Sequence, residues 1–154
     1  MSKFTLAMLL VLAAGEAAAA AAHVDFAYGN VTVSGPDGRE QPLLRGAELD
    51  NGDTVRTAEG RAQLRFQDGA YVSLQPNSEF AIRDYRFDGK TDGTERGFFG
   101  LAKGAMRTVS GLIGHANRDR YRITTPTATI GIRGTWITPP VPRMPMVAVG
   151  VVIR

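Results

Sequence analysis

The sequence has no cysteine in its 154 residues and only two histidines, His23 and His115. Without cysteine there is no disulfide framework, no thiolate zinc site, no iron–sulfur cluster and no thiol nucleophile. Two histidines are also too few for a histidine-rich metal site. The sequence therefore predicts a protein without a bound metal or cofactor.

Long hydrophobic runs are absent as well, since none reaches the roughly 20 residues that span a bilayer. The longest comparable stretch is the mostly apolar segment 4–14, which follows the positively charged Lys3. The run breaks at Gly15 and Glu16, and residues 17–22 are all alanine, which offers several small-x-small cleavage frames. This arrangement is typical of a secretory signal peptide.

We therefore expect residues 1–22 to be a signal peptide that is cleaved after Ala20 or Ala22. The mature chain would retain roughly 130 residues, enough for one domain that buries about two-thirds of its unfolded surface. No second apolar run is long enough to anchor the mature chain in a membrane. The predicted location is the bacterial periplasm or the exterior.

Charge is distributed unevenly along the chain. Residues 23–100 carry nine basic and thirteen acidic side chains, whereas residues 101–154 carry eight basic side chains against Asp119 alone. A basic segment can attract nucleic acid. The same positive charge is also explained if arginines such as Arg120 and Arg122 alternate outward on strands and are simply exposed to solvent. Because an exported protein seldom meets nucleic acid, we predict no nucleic-acid partner.

Short alternating segments separated by turn sequences dominate the rest of the chain. Residues 61–66 alternate with Ala62, Leu64 and Phe66 on one face, and an Asp-Gly pair follows at 68–69. Such segments recur about every 10 residues, which predicts an all-β fold in a single compact domain. A sandwich, a barrel and a β-solenoid stay open as its architecture.

Two stretches are less regular. Phe80, Ile82 and Asp84 are expected to share one strand face, by alternation. Residues 98–114 are apolar and interrupted by glycine, and they fit a strand or a short helix equally well.

Five segments form a recognisable pattern when taken in order, namely residues 49–57, 60–69, 74–78, 104–114 and 125–135. Together they resemble the FecR domain family, and the resemblance extends over residues 30–137. The residues expected to carry the family pattern, in a structural role, are Gly52, Asp53, Thr57, Gly60, Asp68, Gly69, Pro76, Asn77, Gly104, Pro126, Gly131, Ile132, Arg133, Gly134 and Thr135.

The founding members of that family sense a signal in the periplasm and pass it from an outer-membrane transporter to a cytoplasmic sigma factor. The resemblance implies a binding or sensory module, not an enzyme, that engages another cell-envelope protein. This chain shows neither the family's cytoplasmic region nor its membrane helix. We expect a stand-alone exported FecR-like domain over residues 23–137.

The C-terminal segment 138–154 departs from the family pattern. It has four prolines within residues 139–145, which are incompatible with a central strand. Truncation, a frameshift and a genuinely divergent end are all open explanations. Just before this segment, alternation predicts that Ile130 and Ile132 face the core and that Arg133 faces outward.

No catalytic constellation is recognisable in the sequence. Ser110, His115 and Asp119 contain the residue types of a hydrolase triad, but no nucleophile-elbow motif surrounds the serine. Residues 84–95 match an EF-hand calcium loop at four positions, yet Arg86 occupies a ligand position. An acidic turn is the simpler interpretation.

Aromatic side chains leave a second function open. Tyr71, Tyr85, Tyr121 and Trp136 would suit a sugar-binding site, although buried strand aromatics are the more common arrangement. A cell-wall or carbohydrate-binding protein is therefore the alternative to the sensory module. A hydrolase is the third and weakest hypothesis.

Overall fold

The computed structural model describes residues 19–131 and 148–153. These residues form twelve strands, one short α-helix, α1 (Leu112–Ala116), and one 3₁₀ turn (Arg118–Arg120). The predicted all-β class is confirmed. The strands are β1 (Ala22–Tyr28), β2 (Val31–Ser34), β3 (Glu40–Pro42), β4 (Glu48–Leu49), β5 (Thr54–Thr57), β6 (Arg61–Phe66), β7 (Tyr71–Leu74), β8 (Ser78–Arg86), β9 (Arg96–Val109), β10 (Tyr121–Thr124), β11 (Thr129–Gly131) and β12 (Ala148–Ile153).

The strands form one curled sheet with the order β3-β2-β5-β8-β9-β7-β6-β1-β4. All pairs are antiparallel except β9 with β10. The first half of β9 pairs with β8 and β10, and the second half pairs with β7 and β12. Strand β9 therefore joins two parts, which we call the β8 half (β3, β2, β5, β8, β10, β11) and the β6 half (β4, β1, β6, β7, β12).

Strand β9 changes the phase of its buried residues as it passes from one half to the other. Phe99 and Leu101 are buried at odd positions, whereas Met106 and Thr108 are buried at even positions. Between them lies Gly104, with φ +91°. A Cβ there would lie 2.4 Å from the Cα of Ser78, so only glycine fits this conformation and this close approach.

The core lies between the two halves and is rich in aromatic rings. Phe99 is fully buried, and its ring centroid lies 4.9 Å from that of Phe66 and 5.3 Å from that of Tyr121. Phe80 stacks on Phe99 at 5.5 Å, and Tyr85 contacts Phe66 at 5.1 Å. Tilted and offset ring pairs of this kind add stability beyond burial of their area.

A bulge in β8 changes one predicted face. Phe80 and Ile82 point into the core as expected, but the register shifts between Ile82 and Asp84. Tyr85 is consequently buried, and Asp84 is half-buried and pairs with Arg96 at 2.6 Å. The expectation that Asp84 shares the inner face is wrong, because the extra residue of a bulge inverts the alternation.

The ends of the described chain are integrated into the sheet. Strand β1 begins at Ala22, and Ala20 and Ala21 are also buried. Ile130 is half-buried against the core, while the predicted Ile132, Arg133, Gly134 and Thr135 lie outside the described residues. No helix among residues 19–131 and 148–153 is long and apolar enough to cross a membrane.

Candidate functional site

The outer surface of the β6 half is the most distinctive exposed region among the described residues. Its side chains alternate with the buried ones of β1, β6, β7 and β9, and cross-strand pairing aligns them in rows. We call this surface the basic–aromatic face. It consists of His23, Phe26, Tyr28, Arg61, Gln63, Arg65, Tyr71, Ser73, Arg107 and Val109.

A bulge in β1 brings two aromatic rings onto this face. The register shifts between Val24 and Phe26, so that Phe26 lies opposite Gln63 and Tyr28 lies opposite Arg61. Phe26 is 47% exposed and Tyr28 is 71% exposed. Their rings are nearly parallel, with 10° between the planes and 6.4 Å between the centroids. The result is a two-ring platform in solvent.

Arg65 lies at the centre of the face. Its Nη2 and Nε donate to Oδ2 of Asp25, the bulge residue, at 2.8 and 2.9 Å. The guanidinium also lies 5.2 Å from the ring centroid of Tyr71, in a cation–π contact. The Asp25 carboxylate raises the pKa of Arg65 through this hydrogen bond and its charge. Arg65 is therefore held in one orientation as a permanent cation.

Two hollows lie on either side of Arg65. One, of ≈ 480 Å³, is lined by Gln63, Arg65, Tyr71, Ser73, Arg107 and Val109. The other, of ≈ 430 Å³, is lined by His23, Val24, Asp25, Arg45, Gly46 and Arg65. Since Arg65 lines both, a ligand longer than one hollow would cross its guanidinium.

The charge of the face is predominantly positive. It carries Arg61, Arg65 and Arg107, and Arg45 lies at its border. The nearby carboxylates are those of Asp25 and Glu48; the Glu48 side chain lies 3.9 Å from His23. Within the described part of the chain, Arg61 and Arg107 form no ion pair.

One row of charged side chains on the outer surface of the β8 half is paired within itself. There Arg56 lies 3.4 Å from Glu79 and 4.0 Å from Glu40. Glu79 in turn lies opposite Lys103 in the strand register. Two cations alternate with two anions, so this row is internally compensated, while the exposed Arg83, Arg86 and Arg122 lie elsewhere on the same half.

A buried carboxylate, Asp68, organises the inside of the β6 half. It is 2% exposed, and its Oδ1 accepts hydrogen bonds from the Tyr85 hydroxyl at 3.0 Å and from the Ala70 amide at 3.2 Å. Its Oδ2 accepts from the Ile113 amide at 3.2 Å. Burial raises the pKa of Asp68, while these three hydrogen bonds act in the opposite direction.

Tyr85 completes this arrangement by accepting as well as donating. Its hydroxyl oxygen accepts a hydrogen bond from the Asp68 amide at 2.9 Å. Burial and the neighbouring Asp68 charge both raise the pKa of Tyr85. The pair is thus a structural link between β8 and the turn after β6.

Gly111 allows the helix α1 to join this link. A Cβ at Gly111 would lie 2.4 Å from the Asp68 carbonyl oxygen and 2.5 Å from the Ala70 amide. The same Asp68 carbonyl accepts from the amide of Leu112 at 2.9 Å. Asp68 therefore fixes the start of α1 through its side chain and its backbone.

A second buried group surrounds Thr57. The Thr57 hydroxyl donates to the Gln75 carbonyl and accepts from the Ser78 amide at 3.0 Å. The Ser78 hydroxyl donates to the Ala105 carbonyl at 2.9 Å, directly beside Gly104. These contacts hold the turn before β8 against the bend of β9.

The remaining residues of the family pattern lie in turns. Asn77 has φ +58°, and Gly52 and Gly69 have φ of +93° and +84°. Asp53 closes a turn, because its Oδ2 accepts a hydrogen bond from the Asp50 amide at 2.8 Å. At Gly60 a Cβ would lie 2.4 Å from the Tyr28 carbonyl oxygen. Pro76 is half-buried, and Pro126 and Gly131 are exposed.

The structure does not assemble the hydrolase triad or the calcium loop. Ser110 is buried, and its hydroxyl has no hydrogen-bond partner among the described residues, whereas His115 is exposed on α1. Across the described residues, no group of three or more His, Cys, Asp or Glu side chains could hold a metal ion. In the acidic turn, Asp88, Asp92 and Glu95 accept hydrogen bonds from nearby backbone amides.

Comparison with known proteins identifies the scaffold. The model of the FecR protein family matches residues 53–143. This chain belongs to the FecR family. The resemblance inferred from five segments is confirmed, and the family is regulatory and signalling in character. FecR membership supports an envelope-associated module.

Two further comparisons complete this picture. None of the curated proteins matches the chain. A solved structure described as a cell surface anchoring domain is 31% identical, with a TM-score of 0.38. That similarity covers 39% of this chain and 80% of the other.

Sequence reasoning missed the basic–aromatic face because its members come from four strands. The alternation of residues 61–66 places Arg61, Gln63 and Arg65 outward, and this signal was present. Nothing in the sequence indicates that Arg107 of β9 lies opposite Ser73 of β7.

Proposed function

We propose that this protein is an exported, non-catalytic FecR-type module that engages another protein of the cell envelope in a sensory role. Family membership supports the envelope setting and the regulatory character. The observation that favours a protein partner is the outer edge of β12. Among the described strands, β12 pairs with β9 alone.

The sequence of β12 suits the addition of a partner's strand. It reads Ala-Val-Gly-Val-Val-Ile, without a charged residue or a proline. Natural edge strands usually carry lysine, proline or a bulge that discourages pairing. The edge strand β3, at one end of the strand order, has this protection in Glu40 and Pro42. An incoming strand at β12 would gain backbone hydrogen bonds, as in known β-augmentation complexes.

Cross-linking in the producing cells tests this function. We expect formaldehyde treatment to join the wild-type protein to an envelope protein, and mass spectrometry to identify it. The variant Val152→Lys adds a charge to β12 at the position that pairs with the half-buried Ala105 of β9, and it should lose the adduct. The matched control Gln41→Lys adds a lysine to β3, an edge strand of the β8 half, and should keep the adduct.

Two outcomes contradict the proposal. The first is an adduct that survives both lysine variants, because the edge of β12 would then be irrelevant. The second is a partner found only in the cytoplasm. Thermal melts of each variant must match the wild type, so that loss of the adduct does not reflect unfolding.

Carbohydrate binding is the second candidate function, and the basic–aromatic face favours it. Tyr71 is half-buried in a hollow beside Gln63 and Ser73, whose side chains can bond to sugar hydroxyl groups. Tyr85 and Tyr121, which the sequence also suggested, are buried in the core. Trp136 lies outside the described residues. Retention of the protein on purified peptidoglycan or on immobilised polysaccharide would support this candidate.

A further inference from the structure

We propose that the basic–aromatic face binds an acidic polysaccharide of the cell envelope, one that carries carboxylate groups along its chain. This inference rests on the second candidate function, carbohydrate binding, and does not require the protein partner. It assigns the binding site to the two hollows beside Arg65, with Arg107 and Tyr71 as the principal contacts.

The charge of the face indicates an anionic ligand. Three arginines, at 45, 65 and 107, line the hollows, and Arg61 lies on the same face of β6, against the carboxylates of Asp25 and Glu48. Arg107 is exposed and forms no ion pair among the described residues, so its guanidinium is free to accept a ligand. An unpaired guanidinium presents two parallel N–H groups that match a carboxylate.

Arg65 shows that a carboxylate already fits this surface. The Asp25 carboxylate oxygen receives two donors from the guanidinium, at 2.8 and 2.9 Å, while the other side of Arg65 packs over Tyr71. A second carboxylate would find the same chemistry at Arg107. In the strand register Arg107 lies opposite Ser73, two residue pairs away from Tyr71 and on the same face of the sheet.

The shape of the face indicates a polymer with sugar rings. Two shallow hollows of ≈ 480 and ≈ 430 Å³ lie next to each other and share Arg65, which suits successive residues of a chain. The exposed rings of Phe26 and Tyr28 and the half-buried ring of Tyr71 offer flat apolar surfaces on which the C–H face of a pyranose can pack. Gln63 and Ser73 supply hydrogen-bonding groups between the arginines.

A protein partner and a nucleic acid both fit these observations less well than a polysaccharide. A protein interface of ordinary size buries about 800 Å² per partner around a well-packed apolar centre. Here the strongly exposed aromatics are confined to Phe26 and Tyr28, at one margin of the face. Nucleic acid would also use arginines and stacking rings. Envelope association through the FecR family favours the polysaccharide.

Equilibrium binding of the full-length exported protein tests the inference. The probes are polygalacturonate, fully methyl-esterified polygalacturonate, a glycerol-phosphate teichoic acid and oligothymidylate, at the same physiological salt concentration. We expect measurable binding to polygalacturonate that weakens as salt rises. The methyl ester should bind much more weakly, because esterification removes the charge and leaves the sugar rings.

Matched variants locate the site. Arg107→Gln and Lys103→Gln each remove one exposed cation from β9, on the β6 half and the β8 half respectively. We expect Arg107→Gln to weaken polygalacturonate binding about fivefold or more and Lys103→Gln to change it less than about twofold. Tyr71→Leu keeps an apolar side chain but loses the ring. It should weaken polygalacturonate binding without changing how steeply that binding falls with salt, because no charge is removed. Each variant should melt at the wild-type temperature.

Several results would overturn the inference. Equal losses in Arg107→Gln and Lys103→Gln would show general charge attraction without a site. Tighter binding to teichoic acid or oligothymidylate would assign a phosphate polymer or nucleic acid instead. Equal binding of the methyl ester would leave carbohydrate binding standing but remove the role of carboxylates. No binding to any probe would remove this inference and leave the protein partner at β12 to its own cross-linking test.

Discussion

The hydroxyl group of Tyr85 offers the sharpest test of how the β6 half is held together. Replacing Tyr85 by phenylalanine keeps the ring against Phe66, whose centroid lies 5.1 Å away. It removes one oxygen that donates to the Asp68 carboxylate and accepts from the Asp68 amide. Both partners are buried, so neither can turn to solvent.

The magnitude follows from these two lost contacts. A hydrogen bond to a charged group contributes about 1.5–3 kcal/mol, and a buried amide left without a partner costs about 1–3 kcal/mol. The two hydrogen bonds share one hydroxyl oxygen and the site can relax, so their contributions are not fully additive. We therefore expect Tyr85→Phe to lower the free energy of unfolding by about 3 kcal/mol. The matched control is Tyr121→Phe. Tyr121 is also fully buried, and its hydroxyl has one neutral bond, to Thr108 at 2.8 Å. Its loss should cost about 1 kcal/mol.

The pH dependence of the Tyr85→Phe effect has a definite sign. Burial raises the pKa of Asp68 above 3.8 in the folded state, so its contribution to stability is full below 3.8 and is lost as pH rises through the folded pKa. The Tyr85 hydrogen bond lowers that pKa and so offsets part of the loss. The penalty of Tyr85→Phe is therefore largest at neutral pH, and it shrinks as pH falls through the folded pKa of Asp68.

Urea denaturation followed by far-UV circular dichroism measures the loss of stability in each of the two variants and the pH dependence of the Tyr85→Phe loss. The wild type, Tyr85→Phe and Tyr121→Phe are compared at pH 7 and at pH values down to about 4, with equal denaturant slopes as the condition for comparing stabilities. Two results would refute the reasoning. One is an equal loss for both variants at pH 7, and the other is a Tyr85→Phe penalty that grows on acidification.

Three further predictions concern single positions. Gly104→Ala should lower the free energy of unfolding by about 3 kcal/mol or more, because φ is +91° and a Cβ would lie 2.4 Å from Ser78. The control Gly38→Ala, at φ +75° with open space around the Cβ, should lower it by about 1 kcal/mol in the same urea assay. Ser110→Ala should leave the melting temperature unchanged or raise it, since the buried hydroxyl has no partner among the described residues; a clear drop would contradict this. The sequence alone places cleavage after Ala20 or Ala22, but the Ala20 carbonyl accepts a hydrogen bond from the Gln67 side chain, so mass spectrometry of the exported protein should find a mature N-terminus no later than Ala20; an intact Met1 would refute export.

Local signals in the sequence predicted the fold class but not the contacts between distant segments. The Asp-Gly pair at 68–69 indicates a turn, and Gly69 has the positive φ that such a turn requires. That the Asp68 carboxylate is buried depends on Tyr85 and Ile113, which are 17 and 45 residues away. No periodicity in one segment reports on contacts at that distance.

Bulges account for the other differences between expectation and structure. In β8 an extra residue turned Tyr85 inward where alternation placed Asp84, and in β1 an extra residue, Asp25, turned Phe26 and Tyr28 outward. A bulge leaves little trace in the sequence, because it needs no particular residue at most positions. A strict period of two therefore fails where the candidate face and the buried network are formed.

The residues assigned to the family pattern from the sequence and the residues that form the candidate face have separate physical roles. Asp68, Thr57 and Gly104 act through buried contacts or close approaches that the curled sheet requires, so they determine whether the scaffold forms. Outward residues such as Tyr71 and Arg107 contact solvent, and the sheet does not depend on their identity. Family membership therefore specifies the scaffold, while in our proposal the outward side chains of β1, β6, β7 and β9 select the ligand. Variants of the first kind should change the melting temperature, and variants of the second kind should change binding while the melting temperature stays constant.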